Sequence, residues 1–212
     1  MQPSNTYFVR SGARSSPLSR AQFEEVQFLF PQLELEPVWA ESPGDRDKTT
    51  SLRSLEKTDF FTRDLDRMLL DGKVRIAIHS AKDLPDPLPQ GLSLIYLSDG
   101  IDPRDSLVLK EGKTVRSGMR VATSSVRREE AVKTICPDAI FMDVRGRIEE
   151  RIAKLDLNEV DGVVIAEAAL IRLRLTHLNR IFLPGETSPL QGKLAILARS
   201  EDGEIRQMFH GA

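Results

Sequence analysis

Short apolar runs alternate with helical patterns along this chain, and no other feature constrains its fold as strongly. Residues 7–10, 33–39, 74–78, 92–97, 119–123, 139–144, 162–166 and 194–198 read as strands. Between them, helices are expected over 17 to about 29, 60–71, 124–134, 148–155 and 168–175. Pro17 suits a first helical turn, with Ser15 or Ser16 as its cap. Strands separated by single helices signal an α/β fold with largely parallel sheets. Residues 101–109 read as a crossover into a second lobe, and 194–198 as a strand returning to the first. The expected division is 1–98 plus 188–212 for one lobe and 99–187 for the other. Residues 41–51 are polar and turn-rich, and read as a loop.

Composition narrows the function classes. At 212 residues there is material for one large domain or two small ones. A net charge of −2 provides no global attraction for nucleic acid, and sparse aromatics give base stacking little support. No apolar run approaches the ~18 residues of a spanning helix. The opening residues lack the regions of a secretory signal, so a cytoplasmic protein without a membrane partner is expected. Cys136 is the single cysteine, which excludes an internal disulfide, and three scattered histidines argue against a metal site.

Chemistry-bearing residues gather where strands hand over to helices. The run 74–78 ends in His79-Ser-Ala-Lys-Asp-Leu-Pro85, which sets Lys82 and Asp83 at a strand's carboxyl end, where ligands of open α/β sheets sit. Lys82 and Asp83 are expected either to pair or to meet a substrate; a carboxylate there can hold a nitrogen donor or steady a developing cation. The alternative is a solvated Lys-Asp turn. A second junction, Thr123-Ser-Ser-Val-Arg-Arg128, puts Arg127 and Arg128 in a helix's first turn, against its dipole, which points to an anionic ligand for Thr123, Ser124, Ser125 and the two arginines. A capped helix with exposed arginines is the plain alternative. At a third, Asp143-Val-Arg-Gly-Arg147, Gly146 allows close backbone approach; Arg145 is read as a ligand-binding residue and Arg147 as a partner of Asp143 or Glu150. Arg14 and Ser16 repeat the pattern at the first strand-to-helix turn. The implied ligand carries several carboxylates.

These motifs resemble the porphobilinogen deaminase (hydroxymethylbilane synthase) family. The resemblance rests on His79-Ser-Ala-Lys-Asp-Leu-Pro85, Asp102-Pro-Arg-Asp105, Thr123-Ser-Ser-Val-Arg-Arg128, Val144-Arg-Gly146, Arg151 with Lys154-Leu-Asp156, and Gln191-Gly192. Arg14-Ser-Ser-Pro-Leu18 and Phe61-Thr-Arg-Asp-Leu-Asp66 match more loosely. The resemblance implies two lobes like those of periplasmic binding proteins, each a mixed, mostly parallel sheet flanked by helices, with a cleft between them. It implies a transferase of haem and tetrapyrrole biosynthesis that joins four porphobilinogens and releases ammonia. Asp83 would be the catalytic residue. Arg14, Ser16, Lys82, Thr123, Ser124, Ser125, Arg127, Arg128, Arg145, Gly146, Arg151, Arg172 and Gln191 would bind substrate and a dipyrromethane cofactor.

The sequence also departs from that pattern. The family's third domain, whose cysteine tethers the cofactor, is expected to be absent from this chain. Cys136, in Thr134-Ile-Cys-Pro137, does not match the tethering loop and reads as a buried helix-end residue. The glycine-lysine-glycine loop expected before Phe61 reads Lys57-Thr-Asp59, and the asparagine expected after Gly146 is Arg147. A second reading therefore stands beside the enzyme: a two-lobed protein that binds a pyrrole or polycarboxylate without turnover. A monomer is expected, with a dimer as the alternative.

Overall fold

The computed structural model describes residues 7–41 and 61–209. Past Glu41, the loop expected at 41–51 lies outside the described residues, as do Lys57-Thr-Asp59 and Phe60. The described chain divides into two compact units, one of residues 7–41, 61–100 and 193–209 and the other of residues 101–192.

In the first unit the elements are β1 (Tyr7–Arg14), α1 (Pro17–Leu29), β2 (Leu33–Ala40), α2 (Arg63–Leu70), β3 (Ile76–Ser80), a 3₁₀ turn (Ala81–Asp83) and β4 (Leu92–Leu97). The second unit contributes β5 (Asp105–Leu109), β6 (Arg120–Ala122), α3 (Val126–Lys133), β7 (Ile140–Met142), α4 (Ile148–Asp156), β8 (Gly162–Ala166), α5 (Glu167–Arg172) and β9 (Arg180–Phe182). The chain then re-enters the first unit as β10 (Leu194–Arg199) and α6 (Gly203–Phe209).

Each unit is built on one five-stranded sheet, ordered β2-β1-β3-β10-β4 in the first and β7-β6-β8-β5-β9 in the second. Both are mixed. β1 pairs in parallel with β2 and β3, and β6 with β7 and β8; β10 and β4, like β5 and β9, complete their sheets with antiparallel pairings.

Because strand side chains alternate between faces, β3 feeds two cores at once. Ile76 and Ile78 pack with Val9, Phe23, Val26, Phe30, Ile196 and Ile205, beneath α1 and α6. Ala77 points the other way, into Leu65, Leu69, Val74, Leu92 and Leu197, beneath α2. Burial on both faces explains why this run is apolar without a polar alternate. The second unit's core gathers Leu107, Leu109, Met119, Val121, Val132 and Val164.

Three sequence expectations need correction. The run expected at 74–78 forms its strand at Ile76–Ser80, so His79 and Ser80 are strand residues rather than loop. β10 makes the difference, since its register pairs Ala195 with His79 and Leu194 with Ser80. The expected crossover at 101–109 contains β5, wholly buried between β8 and β9. β9 and α6 were not expected: β9 is three residues long, and α6 lies past the last strand. Among the described residues, no helix is long and apolar enough to cross a membrane.

Candidate active site

In the first unit, β1 runs straight into α1, and the turn between them carries Arg14 and Ser16. Ser16 is the helix cap: its Oγ accepts the Ser19 N–H at 3.2 Å and donates to the Ser19 hydroxyl at 3.0 Å. The hydroxyl expected to meet a ligand is thus engaged at the helix start. Arg14 lies with its guanidinium 5.1 Å from the Phe61 ring centroid.

The β1–β3 register pairs Gly12 with Ala77, which brings Arg14 level with His79 two residues on. His79 is 5% exposed and its Nε2 has no hydrogen-bond partner among the described residues. Burial, with the nearby Arg14 charge, lowers its pKa from 6.5 to about 4, so the imidazole is neutral at physiological pH.

Immediately after β3, the main chain is tied down by the Ala81 N–H donating to the Lys193 carbonyl at 3.0 Å, and Gln22 Nε2 donates to Ser80 Oγ at 2.8 Å. Lys82 and Asp83 follow in the 3₁₀ turn, both half-buried. Asp83 forms no hydrogen bond or ion pair among the described residues, so the two do not pair with each other.

In the second unit the equivalent junction follows β6. Thr123 is buried and its Oγ1 accepts the Ser125 N–H at 3.3 Å. Ser124 Oγ donates to the Val144 carbonyl, accepts the Val144 N–H at 2.9 Å and contacts Asp143, which ties this turn to the loop after β7. Ser125 caps α3 by position, with no side-chain cap bond.

Arg127 and Arg128 converge on Asp105, a carboxylate 2% exposed. Arg127 Nη2 donates to Oδ2 at 2.6 Å, while Arg128 Nη2 and Nε donate to Oδ1 at 2.7 and 3.1 Å. Burial pushes the Asp105 pKa up, but the Arg128 charge and the bonds from both guanidiniums outweigh it, holding the carboxyl below its ordinary range. Asp105 thus supplies a counter-ion from within the chain for part of the charge that the sequence pattern assigned to an outside anion. Gln191 Nε2 donates to the same Oδ1 at 3.0 Å and to the Pro103 carbonyl at 2.7 Å, so this side chain, 4% exposed, latches two segments of its own unit.

Arg145 is half-buried at the end of the β7 loop. Gly146 sits at φ +97°, a left-handed conformation, with the Glu150 carboxylate occupying the space a Cβ would take. The Arg147 main-chain N–H donates to Glu150 Oε2 at 2.7 Å and the side chain is exposed; this is a main-chain bond, not the side-chain pairing expected of Arg147. Arg151 Nε donates to the Gly146 carbonyl at 2.8 Å, and Arg172 Nη2 to the Gly192 carbonyl at 3.0 Å. Each thus braces a glycine turn of its own unit.

Sequence reasoning missed Asp105 as a partner, and Glu167 altogether. Glu167, at the end of β8, is 2% exposed and takes a two-pronged bond from Arg180 and one from Ser106. The available signal was an acidic residue at the edge of each of two apolar runs, Ser106–Leu109 and Gly162–Ala166.

The chain matches a known protein family over most of its length. The family described as "Porphobilinogen deaminase, dipyromethane cofactor binding domain" matches residues 9–207. The chain belongs to this family. A probable porphobilinogen deaminase of Chlamydia muridarum is 40% identical over 208 residues, covering 95% of this chain and 85% of that one. The porphobilinogen deaminase of Caldicellulosiruptor saccharolyticus is 37% identical over 195 residues, covering 89% and 67%. Among solved structures, the probable amino-acid ABC transporter extracellular-binding protein ytmK from Bacillus subtilis gives a TM-score of 0.56 at 12% identity, covering 97% and 90%. At that identity the likeness shows the fold alone, which is the two-lobed α/β class of binding proteins.

The family is described by its dipyromethane cofactor, and the resemblance implies that a cysteine tethers it. Cys136 does not suit attachment. It is 3% exposed, its Sγ donates to the Arg116 carbonyl at 3.3 Å, and burial with the Asp138 bond raises its pKa, which suppresses the nucleophilic thiolate.

Proposed function

We propose that this chain is a hydroxymethylbilane synthase, joining four porphobilinogens head to tail with loss of one ammonia at each step. The observation that carries the reading is Asp83, a half-buried carboxylate on a rigid turn at a strand's carboxyl end, with no partner of its own among the described residues. Family membership and the relatives' names support the same reaction.

Porphobilinogen carries an acetate, a propionate and an aminomethyl group on a pyrrole. In the proposed chemistry Asp83 accepts the pyrrole N–H and so orients the ring. As ammonia leaves, the ring becomes an azafulvene cation, and the nearby carboxylate lowers the cost of that charge. The free α-carbon of the terminal pyrrole already held attacks the exocyclic carbon of this cation, and the proton that the α-carbon then loses passes to Asp83. The neutral His79 beside Arg14 adds no second positive charge at this end of β3.

The substrate's carboxylates require guanidinium and ammonium donors. Arg14, Lys82, Arg127, Arg128 and Arg145 are the set we assign to them; Arg127 retains a third of its side-chain surface. A bound dipyrromethane supplies the primer to which the first pyrrole is joined. The same cations suit its carboxylates, and Cys136 is excluded as its tether by burial. Ser16, Thr123, Ser124, Gly146, Arg151, Arg172 and Gln191 act by shaping these turns. We further propose a cytoplasmic monomer with a small-molecule substrate and no nucleic-acid or membrane partner.

The test is ammonia release and intact-protein mass during incubation with porphobilinogen. Asp83→Ala should abolish ammonia release with an unchanged circular dichroism spectrum, and an active Asp83→Ala would sink the mechanism. Saturable porphobilinogen binding by the wild type without ammonia would replace it with a non-catalytic binding protein.

A further inference from the structure

Two buried carboxylates anchor the second unit's sheet, and they are matched differently. Glu167 meets one guanidinium, from Arg180, together with the Ser106 hydroxyl, so charge balances. Asp105 meets two guanidiniums and the Gln191 amide, and one positive charge is left over. One arginine would neutralise Asp105. The second adds nothing to that balance, and it costs stability in the first turn of a helix.

The surplus is also directional. A guanidinium has five N–H donors. Arg127 commits one to Asp105 and one to the Glu186 carbonyl at 2.8 Å, and Arg128 commits two to Asp105, leaving three on each among the described residues. Gln191 holds Asp105 Oδ1 from a third side, which fixes the plane of the carboxylate and therefore of both guanidiniums. Arg127, with 33% of its side chain exposed against 13% for Arg128, is the outward member of the pair.

We infer that Asp105 is a positioning residue for anion binding: its buried carboxylate fixes the direction in which Arg127 and Arg128 offer their remaining N–H groups to a substrate carboxylate. The inference rests on the deaminase reading above and adds to it a residue that touches no substrate. Bidentate recognition depends on the fork's orientation, so misdirected guanidiniums bind carboxylate poorly although their charge persists. The interaction persists through the reaction, so its loss falls on binding rather than on the chemical step.

The experiment measures porphobilinogen binding by calorimetry, and kcat and KM from ammonia release, for the wild type, Asp105→Asn, Asp105→Glu and Glu167→Gln. Asp105→Asn is isosteric but cannot hold two guanidiniums. Asp105→Glu keeps the charge and moves it by about one C–C bond, ~1.5 Å. Both should weaken binding and raise KM at least tenfold while kcat stays within about threefold. Glu167→Gln, which breaks a comparable buried pair but none of the Asp105 bonds to Arg127 and Arg128, should lower the melting temperature without moving KM. If Asp105→Asn fails to fold, the charge-conserving Asp105→Glu decides. Unchanged affinity and KM in either folded Asp105 variant, or the same KM increase in Glu167→Gln, would overturn the inference. A wild type that binds but releases no ammonia would instead refute the deaminase reading, and the binding isotherms would still judge Asp105.

Discussion

Acid should destabilise the first unit in part through one buried side chain, His79. In the unfolded chain its pKa is the ordinary 6.5, and in the folded chain it is about 4, because burial and then the Arg14 charge oppose protonation. Above pH 6.5 neither state carries the proton, and His79 contributes no pH dependence. Between pH 6.5 and 4 the unfolded state binds a proton that the folded state refuses, so stability falls as pH falls. At ~1.4 kcal/mol per pH unit, a gap of about 2.5 units amounts to about 3 kcal/mol lost by pH 4. Trp39 is the only tryptophan in the sequence and packs against Phe23 at 5.3 Å between ring centroids, so its fluorescence reports unfolding of this unit. Urea midpoints of the wild type and His79→Gln, followed at Trp39 from pH 7.5 to 4.5, isolate the effect from the titrating carboxylates common to both. The wild-type stability should fall more steeply than the variant's, and Arg14→Leu should make the wild-type decline shallower. Parallel wild-type and His79→Gln curves over the whole range would refute the reasoning.

Three other outcomes follow from the second unit. Gly192→Ala forces a side chain into a left-handed position, φ +89°, where its Cβ would strike the Ile101 carbonyl; a loss of about 2 kcal/mol is expected in denaturant unfolding. Glu167→Gln leaves the Arg180 guanidinium, in a side chain 19% exposed, without its buried carboxylate, and should cost on the order of 3 kcal/mol by the same measurement. Cys136 should resist a thiol reagent in the folded chain and react fully once urea is added; reaction at the rate of an open thiol would contradict its burial.

The strand-and-helix order was legible because each buried strand shows an apolar run and each helix a spaced apolar stripe. β8 over Gly162–Ala166 and α1 over Pro17–Leu29 needed no tertiary information. β9 escaped because three residues cannot display a period, and only their pairing with Ser106, Leu107 and Val108 of β5 makes them a strand. β3 was misplaced by two residues because its polar end, His79 and Ser80, is a strand only through β10, over a hundred residues away. For the site, the sequence indicated which junctions matter but not where their charges are spent. Arg127 and Arg128 looked uncompensated because their carboxylate, Asp105, lies more than twenty residues upstream at the start of another strand. Long-range charge pairing leaves no local pattern to read.

The two units repeat one plan, and the repetition explains where the chemistry falls. In each sheet the second strand, β1 or β6, is flanked by the next strand of the chain on one side and by a later parallel strand, β3 or β8, on the other. The carboxyl ends of such a pair form a topological switch point, where α/β sheets bind ligands. At the first, the residues delivered are Arg14 from β1 and His79 to Asp83 from β3. At the second, they are Thr123 to Arg128 after β6 and Glu167 after β8. The acids differ in kind. Glu167 is satisfied by Arg180 and Ser106, and Asp105 beside it by two arginines, so neither retains basicity to offer a pyrrole. Asp83 has no such partner among the described residues, which leaves it as the acid able to meet a developing cation. On the proposed chemistry, then, Asp83 is the reacting carboxylate, and Asp105 serves to direct the charge of Arg127 and Arg128. Exchanging the two by mutation, with an arginine placed to neutralise Asp83 or with Asp105 removed, should damage turnover in the first case and affinity in the second.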